Sequence, residues 1–139
     1  MTVYALDANT ISYLIRREGN VSANFHNEVV LTKNQYAIPH IVAYEIKRWL
    51  EDRPTKQMKL FSCQFSNLFR IVESKAGIDA CAWDVAVQIY IDLKQNGQLI
   101  SDADILIAAY CLSKSYTLVT RNDRDFKRIT NLNFVNWYD

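Results

Sequence analysis

Glycine and proline are scarce, three and two residues in a chain of 139. That argues against a disordered or loop-dominated polypeptide and leaves most of the chain free to form regular elements. The three cysteines, Cys63, Cys81 and Cys111, are odd in number and lack C-x-x-C spacing, which excludes a disulfide framework and a cysteine zinc site. They read as small buried residues of a reducing compartment. Only two histidines occur, His26 and His40. No Ser-His-Asp or Cys-His arrangement can be assembled around them, so they read as structural. No apolar run approaches the roughly 20 residues of a membrane helix, and no basic-then-apolar leader opens the chain. The expectation is a cytoplasmic protein without a membrane anchor. Neither sign of charge is in excess, with 16 Lys and Arg against 15 Asp and Glu. The total therefore neither requires nor forbids a nucleic-acid partner, and local clustering decides.

What is present is a set of short apolar runs separated by helix-period segments. The length suits one domain, residues 1–139, with a real core. Val3 to Leu6 runs straight into Asp7, the pattern of a strand buried on both faces in a parallel sheet. A helix is expected from Asn9 or Thr10, with Ile11, Leu14 and Ile15 on one face, Asn9 as its N-cap, and Gly19-Asn20 as its stop. Residues 21–34 are weakly patterned, with a short helix around Val21 to Glu28. A strand at Gln35 to Ile38 leads through Pro39 into a helix that ends at Arg53-Pro54.

Residues 55–69 predict another helix, whose Phe61, Phe65 and Phe69 form a core stripe at helical spacing. Arg70 to Val72 is a short strand candidate. Helices are expected at 77–96 and 101–113, strands at Tyr116 to Thr120 and Asn133 to Trp137, and a turn or short helix at 122–130. Strands alternating with helices predict an α/β fold, a three-layer α/β/α sandwich with a mostly parallel central sheet. In such sheets ligands bind beyond the carboxyl ends of the strands.

The acids fall at that edge. Asp7 ends the first strand, Glu45 lies about one turn into the helix after the second, and Asp104 lies in the first turn of the helix at 101–113. Asp123 and Asp125 follow the strand ending at Thr120. Two unit charges roughly 4 Å apart repel by roughly 4 kcal/mol at an effective dielectric of about 20. A cluster of carboxylates persists if its members are partly protonated or if a cation binds. Hard oxygen ligands with few histidines specify Mg²⁺ or Mn²⁺ rather than zinc, and such ions suit phosphodiester hydrolysis. Taken singly, each acid also has a structural reading. Ser101-x-x-Asp104 and Asn122-x-x-Asp125 have capping spacing, and Glu45 could pair with Arg48.

Three segments together resemble one family. LDANTIS resembles the opening of PIN-domain nucleases. IPHIVAYEIKRW resembles their second motif, and DADILIAAYCLSKSYTLVTRNDRDF their third and fourth. The resemblance covers nearly the whole chain in order and is greatest to VapC toxins of VapBC toxin–antitoxin pairs. It implies a metal-dependent endoribonuclease acting on structured RNA such as tRNA, a homodimer, and a VapB-type antitoxin whose C-terminal segment occupies the groove by the acids. Carried over by position, Asp7, Glu45 and Asp104 match the core acids, with Asp7 and Asp104 as metal ligands. Asn122 takes the fourth position, where Asp125 or Asp123 could supply the carboxylate. Asn9 and Thr120 match polar positions that steady the acids.

Arg121, Arg124, Lys127 and Arg128 crowd beside the fourth position. Phosphate contacts supply much of nucleic-acid affinity, so the RNA backbone is expected there. Arg16 and Arg17 read as a solvated helix end. Tyr13, Trp49 and Trp83 could stack on bases, although nothing in the sequence selects them. Two other readings stay open at this stage. In one, the acids are caps in a non-catalytic module that binds RNA or a partner. In the other, the chain is a phosphoryl-transfer enzyme of another α/β family, which Ala8 and Asn9 serve poorly because acids would be needed there.

Overall fold

A computed structural model describes residues 1–139. The apolar run Val3–Leu6 forms β1, from which the chain enters helix α1 at Ala8–Arg16. Ala5 and Leu6 are fully buried, while Val3 and Tyr4, at the far end of the strand, are only half-buried. The expected burial on both faces thus holds for the half of β1 that leads into Asp7. Arg17 ends α1 in the left-handed conformation (φ 57°), two residues before the expected glycine stop.

Helix α2, Val21–Phe25, continues into a π-helical turn at His26–Leu31. Strand β2, Gln35–Ala37, and Pro39 then lead into α3, His40–Asp52. Helix α4, Lys56–Arg70, is capped by Thr55, whose hydroxyl accepts from the Met58 N–H at 3.1 Å. Phe61, Phe65 and Phe69 are all buried, as a helical core stripe requires. Arg70 to Val72 is not a strand. Helix α4 runs to Arg70, Ile71 is exposed, and the Val72 N–H donates to the Phe69 carbonyl at 3.0 Å in a turn. Val72 lies three residues after Phe69, so it reaches the core from the helix end with no need of a sheet partner.

Helix α5, Ala80–Gln95, and helix α6, Asp102–Lys114, pack against each other. Strand β3, Thr117–Val119, a short helix α7, Asp123–Phe126, and strand β4, Phe134–Val135, complete the order. The sheet is four-stranded, ordered β2-β1-β3-β4, with every pairing parallel. The fold is the α/β sandwich that the alternation of elements implies. From β1 the chain moves outward to β2, then crosses to the other side of β1 for β3 and β4. The topological switch point therefore lies between β1 and β3, beyond whose carboxyl ends ligands bind in open α/β sheets.

One apolar cluster joins β1, β3 and the inner faces of the helices. Cys111 belongs to it, but Cys63 and Cys81 are exposed, contrary to the expectation of three buried thiols. The reason is helical phase. Cys63 lies between Phe61 and Phe65 in sequence and so on the opposite side of α4, and Cys81 precedes the inward Ala82. No helix is long and apolar enough to cross a membrane.

Candidate active site

Only three polar or charged residues of the chain are buried, Asp7, Thr10 and Thr120, and they meet at the switch point. The Asp7 N–H donates to the Val119 carbonyl at 3.3 Å, continuing the β1–β3 ladder by one residue. Asp7 rather than Asn9 is the N-cap of α1. Its Oδ1 accepts from the Thr10 N–H at 2.8 Å, which places Asn9 inside the first turn and exposed. The Thr10 hydroxyl donates to the Val119 carbonyl at 3.0 Å and ties α1 to β3. Burial pushes the Asp7 carboxyl above the ordinary carboxylate range; hydrogen bonds from Thr120 and Thr10 oppose this in part. No basic side chain acts on it.

Two further acids converge on Asp7. Glu45, on α3, is half-buried. Its carboxyl is raised by burial and then by the charge of Asp104, with Arg48 opposing and Asp7 adding to the shift. Asp104 stands in the first turn of α6, where the Ser101 hydroxyl accepts its N–H at 3.2 Å. Burial raises its carboxyl first, and Asp125 and Asp7 add to the effect against the hydrogen bond to Ser101. Asp7, Glu45 and Asp104 thus form one electrostatically coupled group with a net repulsion. Cys111 lies close enough for Asp7, after burial, to push its thiol up, so it is a neutral thiol in the wall.

Asp125 is differently placed. Asn122 is the N-cap of α7 and its side-chain amide donates to Asp125 at 3.0 Å. Arg124 and Arg128 approach the same carboxylate at 3.5 and 3.8 Å. The Asn122 hydrogen bond, with both arginines, holds Asp125 below the ordinary carboxylate range. It acts on Asp104 as a neighbouring charge but is itself compensated. Asp123 is exposed at the start of α7, and Thr120 accepts the Asn122 N–H at 3.0 Å. Of the basic residues expected to meet RNA, Lys127 is exposed, Arg124 and Arg128 are engaged with Asp125, and Arg121 is stacked on Tyr138.

A trough opens beside Glu45. Its first part, about 530 Å³, is lined by α1 (Asn9, Ser12, Arg16) and by α3 and α4 (Glu45, Arg48, Trp49, Met58). A second part of about 510 Å³ shares Arg16 and Met58 and continues toward Thr55 and Phe61. The donor set suits a hard divalent cation, because every coupled group offers carboxylate oxygen and no histidine takes part. No three acidic, histidine or cysteine side chains are arranged so as to enclose an ion by themselves. Magnesium is commonly held by one or two carboxylates, with water and substrate phosphate filling its octahedron, and the residues fit that mode.

The sequence pointed to Asp7, Glu45 and Asp104 but not to Thr10 as the buried strut between α1 and β3. The available signal was D-x-x-T, the spacing at which an N-cap acid receives the N–H three residues on.

Residues 4–132 match the family described as the PIN domain. The chain is 29% identical over 136 residues to Ribonuclease VapC2 of Rickettsia felis, covering 97% of this chain and 98% of that protein. It is 36% identical over 93 residues to Ribonuclease VapC1 of Methanocaldococcus jannaschii, covering 67% and 63% of the two chains. In the crystal structure of VapBC2 from Rickettsia felis bound to a promoter DNA fragment, one chain superposes with a TM-score of 0.83 at 27% identity, over 98% of this chain and 99% of that one.

Proposed function

The chain belongs to the PIN-domain family, and from that premise we propose that it is a VapC-type ribonuclease toxin, a Mg²⁺- or Mn²⁺-dependent endonuclease that hydrolyses RNA phosphodiester bonds. The observation that carries this reading is the meeting of Asp7, Glu45 and Asp104 at the switch point, mutually repelling and without a basic partner on Asp7. Natural proteins keep such an arrangement where function needs it. A divalent cation bound there supplies charge neutralisation at the phosphate and a lower pKa for its water.

Asp7 and Asp104 would hold that ion. Thr120 and Thr10 fix the Asp7 carboxylate, and Ser101 fixes the helix turn that carries Asp104. Glu45, less buried and facing the trough, takes up the proton of the attacking water. Asn9 borders the same trough and orients the substrate side of the pocket. Asp125, with Asn122, sets the charge on the far side of Asp104, and Asp123 stands beside it. Lys127, Arg124 and Arg128 provide the phosphate-facing surface next to α7.

The substrate we infer is a structured RNA such as tRNA. The partner is a VapB-type antitoxin, for which the trough between α1 and α3–α4, with Arg16, Trp49 and Met58, offers mixed basic and apolar lining. Exposed Trp83, Val87 and Tyr90 on α5 offer a face for a second copy. The test is end-mapped cleavage of total tRNA with Mg²⁺, Mn²⁺ or EDTA. Asp7→Asn and Asp104→Asn are each expected to lower cleavage by about 100-fold or more, and full activity in the Asp7→Asn protein overturns the mechanism.

One observation favours a second reading, a non-catalytic module that binds RNA or a partner: Asp7, Ser101 and Asn122 all cap helices. That reading requires that cleavage be absent in every metal and that RNA binding survive EDTA.

A further inference from the structure

Arg121 follows Thr120, which is buried with Asp7 at the switch point, so the chain passes directly from the acid group to this guanidinium. The guanidinium lies 3.6 Å over the Tyr138 ring and 5.8 Å from the Tyr13 ring. The two rings meet edge to face with centroids 4.6 Å apart. The segment carrying Tyr138 is fastened. The Asn20 N–H donates to the Tyr138 carbonyl at 3.0 Å, the Asn24 side-chain amide donates to the Trp137 carbonyl at 2.9 Å, and the Tyr138 N–H donates to Asn136 Oδ1 at 2.8 Å. A Cβ at Gly19 (φ +59°) would come within 2.8 Å of the Tyr138 ring, so this approach depends on glycine.

A guanidinium laid face-on against an aromatic ring loses rotamer freedom but keeps its N–H donors in plane and directed outward. That in-plane edge matches two phosphate oxygens. In this structure the acidic group beside that edge is Asp139, whose Oδ1 lies 3.7 Å from Arg121 Nε, with the Tyr13 side chain next to the same guanidinium. The distance exceeds that of a hydrogen bond, the carboxylate is largely exposed, and its other oxygen accepts from the Asn136 amide at 2.9 Å. An exposed pair of this kind contributes little and is open to exchange.

We propose that Tyr13 and Tyr138 are positioning residues that hold Arg121 as a phosphate clamp for the RNA strand leaving the acid pocket, and that Asp139 is a resident competitor which a bound phosphate displaces. This rests on the ribonuclease reading, and binding is therefore measured apart from cutting. The experiment is fluorescence anisotropy of labelled tRNA in EDTA on the Asp104→Asn background, as a function of salt. Tyr138→Ala is expected to weaken binding by about threefold to tenfold, while Tyr138→Phe, which keeps the ring, restores it. Arg121→Gln should reduce the slope of log affinity against log salt by about one. Asp139→Asn should tighten binding.

In the cleavage-competent protein, Tyr138→Ala should raise KM and leave kcat unchanged. A Tyr138→Ala protein that melts earlier yet binds RNA with unchanged affinity makes the stack a fastener of the chain and overturns the clamp. An unchanged salt slope in Arg121→Gln overturns it too, and unchanged affinity in Asp139→Asn overturns the competitor. Should Tyr138→Ala fail to fold, the Arg121→Gln slope and the Asp139→Asn affinity still decide. Binding that shifts as expected in a protein that never cuts supports the clamp and refutes the ribonuclease reading.

Discussion

Asp7 does two jobs with one carboxylate. As an N-cap it satisfies a helix donor, and as a buried acid it faces the charges of Glu45 and Asp104. The two jobs separate by substitution. Asn caps a helix as well as Asp, while Ala loses the cap at a cost of about 1 kcal/mol. With its folded pKa raised above the unfolded value, Asp7 binds more proton when folded. Its share of stability is therefore fully present below the unfolded carboxylate pKa and is lost as pH rises through the folded one.

Asp7→Asn should accordingly melt higher than the wild type at neutral pH in EDTA, by about 2–5 °C. The gap should close as the pH falls below the ordinary carboxylate range, and Asp7→Ala should melt lower than Asp7→Asn throughout. Thermal melts of the three proteins from acid to neutral pH check this; a gap that widens toward acid is the contrary result. Asp7 was legible in the sequence because an acid directly after a buried apolar run is usually paired or functional. Thr10 and the Arg121 stack were not, since a threonine in a first helical turn and an arginine near a tyrosine are common and become informative only once distant segments meet.

At the level of elements, hydrophobic period found the helices well. The stripe of Phe61, Phe65 and Phe69 and the acids-first pattern of α6 both lie where spacing predicted. It failed at Arg70 to Val72, where a β-branched pair closing a helix looks locally like a strand. It also misplaced the cap of α1 by two residues, because Asp7 reads equally as strand end or helix start. The fourth acid shows the same ambiguity: Asn122-x-x-Asp125 is a real cap, and Asp125 is matched by two arginines as well. Ser101 carries a parallel test. Ser101→Ala removes the hydroxyl that receives the Asp104 N–H and should cost about 0.5–2 kcal/mol of stability, read by urea unfolding. Because that turn presents Asp104, cleavage should fall as well, and Ser101→Thr should recover both.

For the whole molecule, parallel pairing and alternation of elements could be anticipated, but strand order could not. Which side of β1 receives β3 depends on contacts between segments far apart in sequence, and the acids can be said to meet only once that order is known. The assembled group behaves as one charged body. In EDTA its repulsion opposes folding, and a divalent cation that relieves it should raise the melting temperature. At a concentration of about 100 times its dissociation constant, a ligand of the folded state adds about 2.7 kcal/mol. Mg²⁺ and Mn²⁺ should each shift the wild type upward and leave an Asp7→Asn/Asp104→Asn double variant unmoved; an equal shift in both proteins points to binding elsewhere.

The hydrogen bond from Thr10 to Val119 spans 109 positions of the chain, and that span sets an order of events in time. Asp7 leaves the ribosome well before the strand that anchors it and Thr120, which steadies it, are translated. Closing so long a loop is slow and comes late in folding. A nascent chain therefore carries Asp7 and Glu45 for some time before Asp104 and Thr120 exist to meet them, and the acid group can assemble only after Thr120 has emerged.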